Sequence, residues 1–173
     1  MSSPRPEQAT TFHVGDSVIS KVNLDTHRMR VLVNGDLARV IPVSAGKPGW
    51  ETRSGTKVII EKFREKRMDA ATIGVEPGDP EYYNIEEVPY AMRVTYSGEF
   101  LHGAPWSVGA QGEANVSHGC VGMSIEDAAW LYNISKRGDV VDVTGSNKWM
   151  TLTNGYGDWT LPFKEYKQGS ALN

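Results

Sequence analysis

Two runs of aliphatic and β-branched residues, Met29-Arg30-Val31-Leu32-Val33 and Leu37-Ala38-Arg39-Val40-Ile41-Pro42-Val43, flank Asn34-Gly35-Asp36. Asn-Gly between two such runs is a strong short-range signal for an antiparallel hairpin, because both residues accept the positive φ angles of a type I′ turn. The same punctuation recurs. Val18-Ile19-Ser20-Lys21-Val22, Thr56-Lys57-Val58-Ile59-Ile60, Arg93-Val94-Thr95-Tyr96, Glu99-Phe100-Leu101-His102 and Val140-Val141-Asp142-Val143-Thr144 read as further strands separated by Gly, Pro, Asp and Ser. One segment has helical spacing: Ser124 with Asp127 forms a capping-box variant, Ile125, Ala128, Ala129 and Tyr132 share a face, and Gly138 lies beyond the end. Residues 69–90 hold Gly, Pro and acids without periodicity and are expected to form a long loop. The chain is therefore expected to be mainly β, with one substantial α-helix.

At 173 residues the chain fits one ordinary domain. Residues 1–11 read as a linker, 12–145 as the main domain, and the aromatic and Gly-rich 146–173 as an extension packed on it. A net charge of −3 argues against nucleic acid as a partner. The basic run Lys62-Phe63-Arg64-Glu65-Lys66-Arg67 reads as a solvated surface. No stretch approaches the roughly 20 apolar residues of a membrane span. The opening residues lack a signal-peptide core and read as a linker, so the chain is expected to be a piece of a longer exported protein.

The single cysteine, Cys120 in Ser117-His118-Gly119-Cys120, excludes an intramolecular disulfide. A lone cysteine is by default a small core residue. To act as a nucleophile it needs a neighbour that favours the thiolate or takes the proton. Two imidazoles qualify: His118, two positions earlier and on the same side of an extended loop, and His102, at the end of a predicted strand. Gly119 allows close approach of backbone to substrate, and the amides of Gly119 and Cys120 are candidate oxyanion donors. His102, His118 and Cys120 as a zinc set is the alternative, without the paired spacing zinc sites show. His13 and His27 sit in or beside turn-like segments and read as surface residues.

The stretch from His102-Gly103-Ala104-Pro105-Trp106-Ser107-Val108-Gly109 through Gln111-Gly112 to Ser117-His118-Gly119-Cys120 resembles the L,D-transpeptidases of the YkuD type, whose signature is a His, a spacer and Ser-His-Gly-Cys. Met68-Asp69 with Gly74 is similar to the start of that family's lid. Tyr96-Ser97-Gly98, Lys136-Arg137-Gly138-Asp139-Val140-Val141 and Gly157-Asp158-Trp159 also fit, the last resembling the extension of members with upstream immunoglobulin-like domains.

The resemblance implies a β-sandwich of mixed sheets with the helix after the Cys loop. It makes Cys120 the acylated nucleophile, His102 its base and His118 a supporting residue, with the thiolate–imidazolium pair present at rest or reached as substrate docks. Gly103, where relatives commonly have Ser, would supply the carbonyl that orients the base. Gly119, Ser117 and a lid tyrosine would serve the oxyanion or orient the loop, Tyr83 being preferred to Tyr82. Tyr83, Tyr90, Ser97, Gly98, Trp106, Asn115 and Met68 would border the substrate groove. Gly122, Val116 and Ile73 depart from the family pattern.

The implied partners are peptidoglycan stem peptides, a tetrapeptide donor and a diaminopimelate amine acceptor, together with carbapenem inhibitors. No cofactor or metal is implied. A monomer, placed outside the cytoplasmic membrane in the cell envelope or periplasm, is expected. A hydrolase with the same machinery, an L,D-carboxypeptidase, and a silent wall-binding module are the rival readings.

Overall fold

The computed structural model describes residues 10–12 and 14–169; His13 and residues 1–9 of the expected linker lie outside them. The Asn34-Gly35 signal forms a tight hairpin with φ of 54° and 92° at the two turn residues. It joins β2 (Arg28–Val33) to β3 (Asp36–Pro42). β1 (Val18–Asn23) pairs antiparallel with β2 and parallel with β9 (Val140–Thr144), and β9 in turn pairs antiparallel with β4 (Gly55–Val58). This first sheet has the order β3-β2-β1-β9-β4.

The second sheet runs β5-β6-β7-β8, from β5 (Glu61–Asp69) and β6 (Asn84–Arg93) to β7 (Phe100–Gly103) and β8 (Val121–Met123). Its last pair, β7 with β8, is parallel. Both sheets are thus mixed, and their apolar faces enclose one core containing Met29, Val31, Ile41, Met92, Leu101, Met123 and Val141. Alternation does the sorting: in β1, Val18, Ser20 and Val22 face inward.

Helix α1 (Ile125–Ile134) follows β8 directly and packs on β6 and β7. The Ser124 hydroxyl accepts the Asp127 amide at 3.1 Å and donates to its carboxylate at 2.8 Å, closing the first turn as the capping pattern predicts. Asp127 is also bound by Arg39, whose guanidinium lies over the Trp130 ring.

One expectation is sharpened here and another corrected. The run 62–67 lies in β5 with Arg64, Glu65 and Arg67 exposed as expected, whereas Lys62 reaches the carbonyls of Tyr132 and Ser135 at the end of α1, where a cation also suits the helix dipole. The expected loop 69–90 is mostly ordered: a 3₁₀ turn occupies Ala70–Ile73, and β6 starts at Asn84. Only 74–83 remains as loop. The sequence hid β6 because Glu86 and Glu87 are exposed and Pro89 interrupts the apolar pattern.

The segment after β9 packs back on the domain. Trp159 donates its indole N–H to the Thr56 carbonyl at 2.7 Å, and Asn154 bonds Ser97.

Lys57, on β4, is fully buried, and its ammonium bonds Glu99 at 2.8 Å and the Arg53 carbonyl at 2.6 Å. Burial pushes the ammonium pKa down while the Glu99 carboxylate holds it up. Arg53 caps the other Glu99 oxygen at 2.7 Å. Removing one member of such a pair strands a buried charge, at a cost of about 3–5 kcal/mol. Thermal melting should therefore show a large loss for Lys57→Met and recovery of most of it in Lys57→Met/Glu99→Leu.

Candidate active site

β7 and β8 fix the site. Their parallel register pairs Leu101 with Val121 and His102 with Gly122, so Cys120, just before β8, stands diagonally across from His102. Residues two apart on a strand share a face, which brings imidazole and thiol to the same side of the sheet. Gly122 is what leaves room. A Cβ there would meet the Ala104 Cβ at 2.8 Å and lie 3.9 Å from the His102 Cε1. The absence of a side chain, read from sequence as a departure from the family pattern, is a packing requirement beside the imidazole.

His102 is buried, and its Nδ1 lies 2.8 Å from the Gly103 carbonyl oxygen. A carbonyl only accepts, so Nδ1 carries the hydrogen and Nε2 is left as the basic nitrogen. Burial pulls the imidazole pKa below its usual value, opposed by the Gly103 carbonyl. The Trp106 ring stacks on His102 at 5.8 Å between centroids.

Cys120 is partly buried, and its thiol donates to the Gly98 carbonyl at 3.5 Å. Burial pushes the thiol pKa up to about 12, against a lowering contact from the Phe100 amide; Glu99 raises it further while Arg93 and Lys57 lower it. Burial thus favours the uncharged form of both groups, thiol and imidazole. Of the two states expected from sequence, these directions favour the thiolate–imidazolium pair reached as substrate docks.

The loop carrying the thiol is bound from several sides. The Ser117 hydroxyl donates to the Cys120 carbonyl at 2.6 Å and accepts the Gly119 amide at 3.0 Å. The Gly119 carbonyl accepts from Thr52 at 2.8 Å, and Gly119 has φ of 120°, a conformation that selects glycine. One expectation changes with this geometry: the Gly119 amide is already paired with Ser117.

His118 is engaged by residues other than the thiol. Its Nε2 lies 2.6 Å from the Glu81 carboxylate, and its ring packs edge-on against Trp50 and tilted against Tyr83. Among the described residues no cluster of three or more His, Cys, Asp or Glu side chains is arranged to hold a metal ion.

A cavity of about 270 Å³ opens onto this arrangement, lined by Cys120, His102, His118, Ser117, Trp106, Tyr83 and Met68 together with Ser44, Ile85 and Val116. Tyr83, and not Tyr82, is on its wall. Burial pushes the Tyr83 phenol up to about 12, with Cys120 and Asp69 adding to the rise. A second cavity, of about 400 Å³, adjoins across Tyr83 and His118 and is lined by Trp50, Arg53, Ser97, Gly98 and Gly119.

Two residues expected at the groove are placed elsewhere. Tyr90, at φ of 54° within β6, packs on Tyr132 against the core. Asn115 is a framework residue: its amide oxygen accepts from the Ala45 N–H and lies 3.1 Å from the His27 ring, and its NH₂ donates to the Leu24 carbonyl. His27, read as a surface residue, is half-buried for the same reason. Glu81, Trp50 and Ser44 were not singled out from sequence; none belongs to a motif, and only the fold brings them in.

A methyl group at position 122 would have to displace Ala104 by several tenths of an ångström. Gly122→Ala should lower stability by about 1–3 kcal/mol, measured by thermal melting.

Residues 17–143 match the L,D-transpeptidase catalytic domain family, YkuD. L,D-transpeptidase 2 of Mycobacterium tuberculosis is 38% identical over 163 residues, covering 94% of this chain and 40% of the relative. A solved L,D-transpeptidase from Mycobacterium smegmatis is 43% identical with a TM-score of 0.74, over 76% of this chain and 60% of that one. The L,D-transpeptidase LdtMt1, solved in complex with imipenem, is 40% identical with a TM-score of 0.73, over 75% and 60%. The chain spans about half the length of the relatives it matches. With the family matched across most of the sequence and the fold shared at this identity, the chain belongs to the L,D-transpeptidase catalytic domain family, YkuD.

Proposed function

We propose that this domain cross-links peptidoglycan stem peptides through a thioester on Cys120. The observation that carries the reading is the pairing of a buried, Nδ1-protonated His102 with a lone thiol on the same sheet face, at the wall of one cavity. His102 Nε2 takes the Cys120 proton as sulfur attacks the carbonyl of the third residue, diaminopimelate, of a tetrapeptide donor. Negative charge on the carbonyl oxygen is met by the Cys120 amide and the Tyr83 hydroxyl, one such donor being worth roughly 3–4 kcal/mol. The carbon–nitrogen bond breaks, His102 gives its proton to the departing D-alanine amine, and a thioester remains. The side-chain amine of a second diaminopimelate then attacks the thioester and loses a proton to His102. Cys120 leaves and recovers its proton.

His118, Ser117 and Gly119 shape the loop in this reading, and Trp106 and Met68 wall the donor. Stem peptides lie outside the cytoplasmic membrane, so the domain is assigned there. A relative's complex with imipenem supports the expectation that carbapenems acylate the same thiol.

Incubation with stem tetrapeptide and mass analysis of the products separates transfer from hydrolysis. A dimer lacking one D-alanine is expected; tripeptide with no dimer would replace the transferase by a carboxypeptidase. The pH dependence follows from the raised thiol and lowered imidazole pKa values. Alkylation by iodoacetamide should be slow at neutral pH and rise only well above the range of a free thiol, about 8.5. Acylation by substrate, which needs neutral His102, should persist at neutral pH and fall only below the ordinary imidazole range, about 6.5. Rapid alkylation with a midpoint below pH 7 would contradict the raised thiol pKa.

A further inference from the structure

One carboxylate joins three separate segments at the mouth of the site. Glu81, in the 74–83 loop, places Oε2 2.6 Å from the His118 Nε2 and within hydrogen-bond distance of the Lys47 ammonium. Lys47 belongs to the segment that follows β3, and its amide donates to the Ser117 carbonyl at 3.0 Å, so it is anchored to the nucleophile loop by backbone as well as side chain. The Glu81 backbone is itself held: its amide donates to the Asp79 carboxylate at 2.8 Å, and the Tyr82 amide donates to the Asp79 carbonyl at 2.9 Å. Tyr83 follows two positions after Glu81, with its ring 5.0 Å from the His118 ring. Lys47 and then His118 hold the Glu81 carboxyl below the usual carboxylate range, so it stays charged at neutral pH.

We infer that Glu81 is a positioning residue that latches the 74–83 loop onto His118 as a lid, and thereby holds Tyr83 over the cavity containing Cys120. The chemistry fits that role. A carboxylate shared between an ammonium and an imidazole makes two charge-assisted contacts, which are shorter and stronger than neutral ones. It is the contact by which the 74–83 loop reaches the imidazole of the nucleophile loop, because Tyr83 meets His118 only by ring packing. Glu81 touches neither the thiol nor His102, so its effect on reaction passes through Tyr83 and His118. The latch has a consequence for order of events: a stem peptide that enters beside His118 must do so without breaking the Glu81 contact, or the Tyr83 hydroxyl is lost from the site as the loop swings out.

The inference rests on the acylation of Cys120 proposed above, and two measurements keep the two claims separate. The first is amide hydrogen exchange on the intact chain. Glu81→Ala should accelerate exchange in residues 74–85 while leaving the core of β7 and β8 unchanged; unaltered exchange in the loop would overturn the latch. The second is the rate of carbapenem adduct formation, followed by intact mass. Glu81→Ala should lower the limiting acylation rate about tenfold, with the half-saturating concentration changed less than about twofold, as expected when geometry and not binding is disturbed. Glu81→Gln, which retains an oxygen acceptor, should recover part of the loss. In a Tyr83→Phe background the Glu81→Ala effect should shrink to under about threefold, because residues acting through one group are not additive. A full rate for Glu81→Ala, a loss confined to half-saturation, or an undiminished tenfold loss in the Tyr83→Phe background would each overturn the positioning role. No adduct on the unaltered chain, with loop exchange still raised by Glu81→Ala, would instead overturn the functional reading and leave the latch standing.

Discussion

The parallel pairing of β7 with β8 is the constraint on which the site depends. Cys120 and His102 share one face because Leu101 pairs with Val121 and His102 with Gly122. A slip of one residue would turn the imidazole to the opposite face of the sheet. That register is fixed from both sides: Leu101, Val121 and Met123 are buried in the core, and α1, capped by Ser124 immediately after β8, packs over β7. The helix is therefore part of the site's machinery without contributing a residue to it. It holds the strand that follows Cys120.

Around this register the protein uses backbone groups where a more polar design would use side chains. The His102 ring is oriented by the Gly103 carbonyl and the thiol rests on the Gly98 carbonyl. Loop geometry does the rest through Ser117, Thr52 and the positive φ of Gly119. Backbone carbonyls accept hydrogen bonds without adding a formal charge, and burial is the influence that favours the uncharged thiol and imidazole. Beneath them the buried Lys57–Glu99–Arg53 group fixes the turn that presents Gly98. At the thiol Glu99 and Lys57 act in opposite directions, and burial is the largest influence.

Much of this was legible in the sequence, for identifiable reasons. The Asn34-Gly35 hairpin, β1, β9 and α1 carry strong local signals: a turn that demands positive φ, clean alternation, and a capping pair. Cys120, His102 and Tyr83 came from a long motif, since spacing alone left His102 and His118 equal. What escaped depends on contacts between distant segments. β6 is masked by Pro89 and exposed glutamates, and Lys57 and Glu99 lie 42 positions apart, with nothing local to mark either as buried. Tyr90 and Asn115 show the converse. Each has the residue type of a groove contact, yet the fold uses one as core packing and the other as a hydrogen-bonded tie between β1, the β3 exit and the nucleophile loop. Glu81 carries no motif at all, and its meaning arises only when Lys47 and His118 meet it.

The central claim is that the one thiol of this chain is acylated with His102 as its base. Intact-protein mass after exposure to a carbapenem, with Cys120→Ala and His102→Ala alongside, tests it most directly. The account predicts a single adduct on the unaltered chain that maps to Cys120, none on Cys120→Ala, and a loss of rate in His102→Ala of about a hundredfold or more. An adduct that survives Cys120→Ala, or one that forms at full rate without His102, would contradict it.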